Sequence, residues 1–216
     1  MIHIAKGGGS WVVTSIILTS ILLILSIYFQ GLIRVFLLVF FAIFILKSCL
    51  LIIFFRDPKR TISHGVVAVA DGKIREITTV HDDEVGECTK ISTFMNLHNV
   101  HVNRMPLDGR IIHLTHHPGA HVPAFQKESE KNERAILLME TSIGVIKIVQ
   151  IAGTLARRIV PYVHQGDVLK KGEKIGLIRL GSRVDVYLPT KTIKRVTVTL
   201  HDTIKAGEDT LAELIE

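Results

Sequence analysis

The first 55 residues of the chain are apolar and almost uncharged, and this feature constrains the fold more than any other. They contain no Asp or Glu, and their basic residues are Lys6, Arg34 and Lys47. Residues 11–29 form one uncharged stretch, and residues 35–55 form a second that is interrupted by Lys47. Each is close to the roughly 20 apolar residues that a helix needs to cross a bilayer. The pattern predicts a transmembrane hairpin of two helices, because backbone groups in lipid must be satisfied within each helix.

The flanks of these stretches predict how the hairpin is oriented. A cleaved signal peptide is disfavoured, because such a peptide has one short apolar core and then a small-residue cleavage site. Because Lys47 interrupts the second stretch, one alternative stays open: a single spanning helix followed by a helix that lies at the membrane interface. Lys6 precedes the first stretch, and three basic residues lie within residues 56–60. The positive-inside rule therefore predicts a cytoplasmic-membrane protein whose remaining domain, residues 56–216, faces the cytoplasm.

The charge of the second domain gives little support to a nucleic-acid partner. Residues 56–216 carry all 20 acidic residues and all but three of the 26 basic ones, a net charge of +3 out of +6 for the chain. A mildly basic surface beside a membrane suits anionic lipid, and no nucleic-acid partner is predicted. Cys49 lies in the second apolar stretch and Cys88 in the domain, so the chain offers no disulfide framework.

Beyond residue 60, short β-branched runs punctuated by Gly, Pro or Asp replace the helical pattern. Such runs predict a mostly β domain, sandwich or barrel-like. They cover residues 65–72, 109–114, 136–141, 144–150 and 183–188.

One pair of segments in the domain repeats weakly. Residues 166–173 (GDVLKKGE) resemble residues 201–208 (HDTIKAGE), and in each a Gly stands where a hairpin requires positive φ. Hairpins of this kind recur in lipoyl-type β-sandwiches. Ordinary turns are favoured over a swinging-arm role, because no lysine lies at a tight exposed turn.

Six histidines fall between residues 98 and 121, and they raise the alternative of a membrane-tethered zinc hydrolase. They are His98, His101, His113, His116, His117 and His121. Two pairs have an i, i+3 spacing, which points the side chains to opposite faces of a strand. No metal is therefore assigned.

A larger set of short motifs occurs in an order that is similar to one known family. These motifs are FFRDPKR (54–60), ADG (70–72), FM (94–95), VHVNRMP (100–106), NER (132–134), QIAG (150–153), ARR (156–158), GEKIG (172–176) and LGSRVD (180–185). Together they resemble the phosphatidylserine decarboxylases, of the short, membrane-anchored type. The archaeal branch of that family is thought to act on archaetidylserine.

The resemblance implies a proenzyme that cuts itself between Gly181 and Ser182. Attack of the Ser182 hydroxyl on the Gly181 carbonyl and then β-elimination would give a β chain, residues 1–181, and an α chain, residues 182–216. Ser182 would become a covalent pyruvoyl group, the pyruvate cofactor of a carboxy-lyase. Its carbonyl would form a Schiff base with the lipid serine and accept electrons as CO2 leaves.

The resemblance also implies which side chains assist self-cleavage and decarboxylation. The family's Asp-His-Ser set maps to Asp71 in ADG, to Ser182, and to His101, with His98 second. Where longer members carry another histidine, this chain has Arg104. Candidate partners for the lipid phosphate are Arg104, Arg157, Arg158 and Arg183.

The implied partners are the serine phospholipid, with either diacylglycerol or archaeol tails, and the chain's own two pieces. A homodimer is typical of relatives. The alternatives are the zinc hydrolase above and a non-enzymatic, lipoyl-like membrane adaptor that would neither cleave itself nor bind metal.

Overall fold

The chain forms two compact units, which divide between Pro58 and Lys59. A computed structural model describes residues 3–119, 132–153, 158–179 and 182–215. Within those residues the first unit contains two long helices, and the second contains fourteen strands. The predicted fold class, a mostly β domain after an apolar two-helix hairpin, is confirmed.

The first unit is built from α1 (Gly9–Tyr28) and α2 (Gly31–Phe54). Both helices are long and apolar enough to cross a membrane, with mean hydropathies of 2.3 and 2.9. The chain reverses at Phe29 and Gln30, which are extended, and Gly31 follows with a φ of 62°.

Polar contacts tie the two helices together. The Ser15 and Ser48 hydroxyls lie 2.9 Å apart, and the Thr19 hydroxyl lies 3.2 Å from Ser48. At the open end, the Ala5 N–H donates to the Phe55 carbonyl at 2.8 Å. Hydroxyls that bond across helices satisfy each other where lipid offers no partner.

The strands of the second unit vary from two to eleven residues. They are β1 (Val66–Val67), β2 (Gly72–Asp82), β3 (Gly86–Met95), β4 (Val102–Arg104), β5 (Gly109–His117), β6 (Arg134–Thr141), β7 (Gly144–Ala152), β8 (Ile159–Pro161), β9 (Val168–Leu169), β10 (Lys174–Ile178), β11 (Ser182–Pro189), β12 (Ile193–Val196), β13 (Thr203–Ile204) and β14 (Thr210–Leu214).

All the described strand pairs are antiparallel, and they form one large sheet and two small ones. The eight-stranded sheet has the order β13-β2-β3-β11-β7-β6-β5-β9, and the small sheets are β1-β14-β12 and β4-β10-β8. β11 is therefore an interior strand, hydrogen-bonded along both sides.

The alternation along β11 shows how the sheet faces the core. Val184, Val186 and Leu188 are buried in the hydrophobic core, whereas Arg183 and Tyr187 are partly exposed. Successive strand residues point to opposite faces, so Ser182 shares the core face with the valines.

The run at residues 65–72 was predicted as one strand, and this is wrong for most of it. Only Val66 and Val67 pair in β1. The backbone then bonds to two other segments. The Val67 N–H donates to the Pro106 carbonyl and the Val69 carbonyl accepts from the Arg104 N–H, whereas the Ala68 N–H donates to the Asp209 carbonyl. Local β propensity does not reveal such irregular pairing with distant loops.

Candidate functional site

Ser182 lies where the ends of three strands coincide. It is the first residue of β11, and it pairs with Met95, the last residue of β3, and Ala152, the last of β7. Its side chain is fully buried, and its hydroxyl donates to the Met95 sulfur at 3.2 Å. A thioether is a weak acceptor, so this contact holds the hydroxyl without removing its proton. Gly181 lies outside the described residues.

A chain of neutral polar side chains continues from Met95 into the core. The Asn103 amide nitrogen lies 3.8 Å from the Met95 sulfur, and the Gln150 amide nitrogen donates to the Asn103 oxygen at 2.7 Å. Asn103 and Gln150 are fully buried. A Cβ at Gly176 would lie 3.1 Å from the Gln150 amide nitrogen, so the absence of a side chain at Gly176 leaves room for Gln150. All of these residues belong to motifs found in the sequence, but their contact could not be predicted.

His101 immediately precedes β4 and is fully buried. Its Nδ1 lies 2.9 Å from the Asn99 carbonyl oxygen. A carbonyl can only accept, so Nδ1 carries the proton in this bond and Nε2 is the basic nitrogen of the neutral ring. The His101 carbonyl accepts from the Ile178 N–H at 3.4 Å. The structure thus brings His101 beside β10, the strand that ends four residues before Ser182.

Asp71 is buried within a set of donors. Its carboxylate accepts from the Ala206 N–H at 2.8 Å and from Arg60 Nη2 at 2.8 and 3.0 Å, and the Val100 N–H also bonds to it. Burial raises the pKa of Asp71, while the Ala206 N–H, Arg60 and the Val100 N–H each offset part of that rise. Because Val100 precedes His101, Asp71 holds the backbone next to the histidine.

Asp108 occupies a position equivalent to that of Asp71, which extends the weak sequence repeat. Residues 71–74 (DGKI) and 108–111 (DGRI) each begin a strand that pairs with a short one, β13 or β9. Asp108 accepts from the Lys171 N–H at 2.7 Å, as Asp71 accepts from Ala206. Burial is what differs, because Asp108 is exposed and Asp71 is not.

The structure separates the candidate arginines. Arg104 is buried and donates to the Gly172 carbonyl at 3.0 Å. Arg183 pairs with Asp185 at 2.9 Å on the sheet face opposite to Ser182. Arg158 is exposed, and Arg157 lies outside the described residues.

The histidine cluster is not brought together as a metal site among the described residues. No group of three His, Cys, Asp or Glu residues there could hold a metal ion. His98 is exposed, His113 contacts Thr115, and His116 lies 2.9 Å from Glu133. His121 is outside the described residues.

Asn132 and Glu133 support the strand end beside Ser182. Asn132 donates to the Ala152 carbonyl at 2.7 Å, and the Ala152 N–H donates to the Glu133 carbonyl at 2.9 Å. The Glu133 carboxylate accepts from the Ile159 N–H at 3.0 Å. Since Ala152 is the partner of Ser182 in the sheet, these contacts determine the position of the serine backbone.

Comparison with known proteins shows the family to which the chain belongs. The sequence model of the phosphatidylserine decarboxylase family matches residues 49–212. A putative archaetidylserine decarboxylase proenzyme from Methanococcoides burtonii is 40% identical over 97% of this chain and 96% of its own length. A phosphatidylserine decarboxylase proenzyme from Streptomyces avermitilis is 52% identical over 63% of this chain, which covers 62% of that relative.

The chain spans less than two thirds of the Streptomyces relative but almost all of the archaeal one. The matching family model and the names of these relatives are those of decarboxylases. The chain belongs to the phosphatidylserine decarboxylase family.

Proposed function

We propose that this chain cleaves itself and then removes CO2 from the serine headgroup of a membrane phospholipid, leaving an ethanolamine headgroup. The names of the relatives support a serine phospholipid with either phosphatidyl or archaetidyl tails. The observation that carries the proposal is Ser182, a fully buried hydroxyl at the start of an interior strand. The zinc hydrolase and the adaptor are not favoured, because the family is one of decarboxylases.

Cleavage would be an intramolecular reaction at the Gly181–Ser182 bond. The Ser182 oxygen adds to the Gly181 carbonyl carbon, the C–N bond breaks, and an ester replaces the amide. Loss of the Ser182 α-proton then expels the Gly181 carboxylate and leaves a dehydroalanine. This hydrolyses to a pyruvoyl group and ammonia. The hydroxyl needs a base, since a neutral serine is a poor nucleophile.

His101 is our candidate for that base, acting through Nε2. The Asn99 carbonyl keeps the proton on Nδ1, so Nε2 has the lone pair that can accept a proton. Asp71 would act as a positioning residue, through its bond to the Val100 N–H and its burial against Arg60. In the decarboxylation step, the protonated Nε2 would return a proton to the carbon that has lost CO2.

The residues around Ser182 suit a pyruvoyl group at that position. When present, the group supplies a carbonyl that takes up the electrons released with CO2. The Asn103 amide nitrogen offers a donor beside Met95, and Met95 is also the contact of the Ser182 hydroxyl. A buried neutral donor of this kind would suit a carbonyl oxygen.

The two apolar helices indicate membrane association. We further propose a cytoplasmic face for the β unit, from the basic residues that flank the helices, and an anchor of residues 1–55. The phosphate partners Arg104, Arg157, Arg158 and Arg183, and the homodimer, remain predictions.

Intact mass spectrometry of the purified full chain tests the proposal. We expect two pieces, residues 1–181 and 182–216, with the smaller one lighter by one ammonia than simple hydrolysis would leave it. Ser182→Ala should remain a single chain without activity. Ser92→Ala is the matched control, because Ser92 is another buried serine, on β3. An active wild type that stays uncut would overturn the proposal.

A further inference from the structure

Lys47 lies beside an open groove between the two helices. The groove has a volume of about 230 Å³ and combines hydroxyl, aromatic and aliphatic side chains. It is lined by Ser10, Trp11, Thr14, Ser15, Leu18, Lys47 and Leu51.

The position of Lys47 indicates an anionic ligand. Its described contact is with the Phe44 ring, whose centroid lies 4.9 Å from Nζ, and within the described residues it forms no ion pair. Residues 1–55 contain no acid that could neutralise it. A Lys side chain near the end of a spanning helix extends its ammonium toward the headgroups, where a phosphate is a suitable partner.

The polar residues of the groove lie toward one end of the helix hairpin. Lys47 lies two turns before α2 ends at Phe54, which is about 10 Å along the helix axis. Ser10 and Thr14 lie in the first two turns of α1, at the same end of the hairpin. The polar side chains of the groove therefore lie near the interface, and Leu18 extends the groove toward the apolar interior.

The start of α1 adds a second source of positive potential. Gly8 caps the helix without a side-chain hydrogen bond, and the first turn contains no acidic residue. The positive end of the helix dipole is thus not offset by a side chain, and such an end favours phosphate.

The groove is also held in shape by contacts beneath it. Ser15 bonds to Ser48 at 2.9 Å, and the Thr19 hydroxyl donates to the Ser15 carbonyl at 2.7 Å. Ser10 and Thr14 are exposed residues of the groove lining, whereas Ser15 is buried at the contact between the helices.

We propose that this groove binds the phosphodiester of an anionic bilayer phospholipid. Lys47 supplies the charge, Ser10 and Thr14 supply hydroxyl donors, and Trp11 and Leu18 contact the upper acyl chain. The groove belongs to the first unit and Ser182 to the second, and the lipid site does not depend on the decarboxylase proposal.

Fluorescence quenching of Trp11, the chain's single tryptophan, provides a direct test. The full chain is placed in phosphatidylcholine vesicles that contain equal fractions of either brominated phosphatidylglycerol or brominated phosphatidylcholine. Phosphatidylglycerol carries the phosphodiester but no serine amine, so the Ser182 chemistry cannot contribute. We expect the anionic lipid to quench Trp11 more strongly, and Lys47→Gln to reduce that preference about fivefold.

Arg34→Gln is the matched control, because it removes one positive charge at the other end of the hairpin. It should retain the preference, as should Lys47→Arg, whose retention would also show that the hairpin tolerates substitution at this position. Equal quenching by the two lipids in the wild type, or equal losses in Lys47→Gln and Arg34→Gln, would refute the lipid site.

Discussion

At the scale of single residues, Asp71 and Asp108 hold equivalent loops but differ in their surroundings. Each carboxylate accepts an N–H from the residue before a glycine, Gly207 or Gly172. Asp108 therefore has only the role that the two aspartates share, which is to hold the loop before the glycine through this hydrogen bond. Asp71 adds a buried pair with Arg60 and the contact with Val100, next to His101. The two aspartates allow the structural and chemical roles to be separated.

Replacement of each aspartate by asparagine tests that separation. Asp71→Asn should lower the free energy of unfolding by about 2 kcal/mol, because it removes a charge-assisted hydrogen bond and leaves the buried Arg60 guanidinium with Glu208 as its described acidic partner. It should also slow self-cleavage. Asp108→Asn should change both quantities little, since its pair is exposed. Denaturant titration and the cleavage time course of the full chain measure the two effects. Cleavage at the wild-type rate in Asp71→Asn would limit Asp71 to a structural role.

At the scale of elements, the two repeated hairpins pack on one side chain. Gly172 and Gly207 have φ values of 84° and 79°, which favour glycine. A Cβ at Gly207 would lie 2.9 Å from Ile62 Cδ1, and one at Gly172 would lie 2.6 Å from Ile62 Cγ1. Ile62 therefore packs between the turns of both repeats, and their close approach depends on the two glycines.

Gly166→Ala and Gly172→Ala form a matched pair for this contact. Both positions have positive φ, but a Cβ at Gly166 meets nothing within 4 Å. We expect a cost of about 1–2 kcal/mol at Gly166, from backbone strain alone. At Gly172, overpacking against Ile62 should add about 1–3 kcal/mol. Denaturant midpoints of the full chain measure the difference.

Ile62→Ala provides the check on that explanation. Combined with Gly172→Ala, it should recover part of the extra cost, because the smaller side chain leaves space for the new methyl group. Equal losses in the two glycine variants would contradict the proposed contact.

At the scale of the whole β unit, the proposed cut divides the chain but not the sheet. Residues 182–216 would supply β11, which pairs with β3 over eight residues and with β7 over six. The same piece would supply β12 and β14, and β14 pairs with β1. Separation of the pieces would break these ladders and expose the core residues of β11.

The two pieces should therefore remain associated after cleavage. With an affinity tag on the C-terminus, we expect residues 1–181 to co-purify in mild detergent and to be lost only in strong denaturant. The uncut Ser182→Ala chain controls for retention of the membrane unit. Release of the large piece under native conditions would mean that β11 does not remain in the sheet after cleavage.

Much of this could be predicted from local sequence. The apolar helices depend on composition, and the strands β5, β6, β7 and β11 follow β-branched runs. By contrast, β2 and β3 were not predicted, because charged residues interrupt the β-branched runs in these two strands. The irregular course of residues 65–72 was also missed, because its partners are distant loops.

Hydropathy and motif order are enough to predict an apolar hairpin, a β domain and membership of a decarboxylase family. Length, hydropathy and ordered motifs are properties of the chain and need no folding to be recognised. Tertiary structure alone decided that Ser182 contacts Met95, that Gln150 reaches Asn103, and that Asp71 is buried while Asp108 is not. These contacts join residues 47 to 87 positions apart, or depend on burial, and both arise only when the sheets assemble.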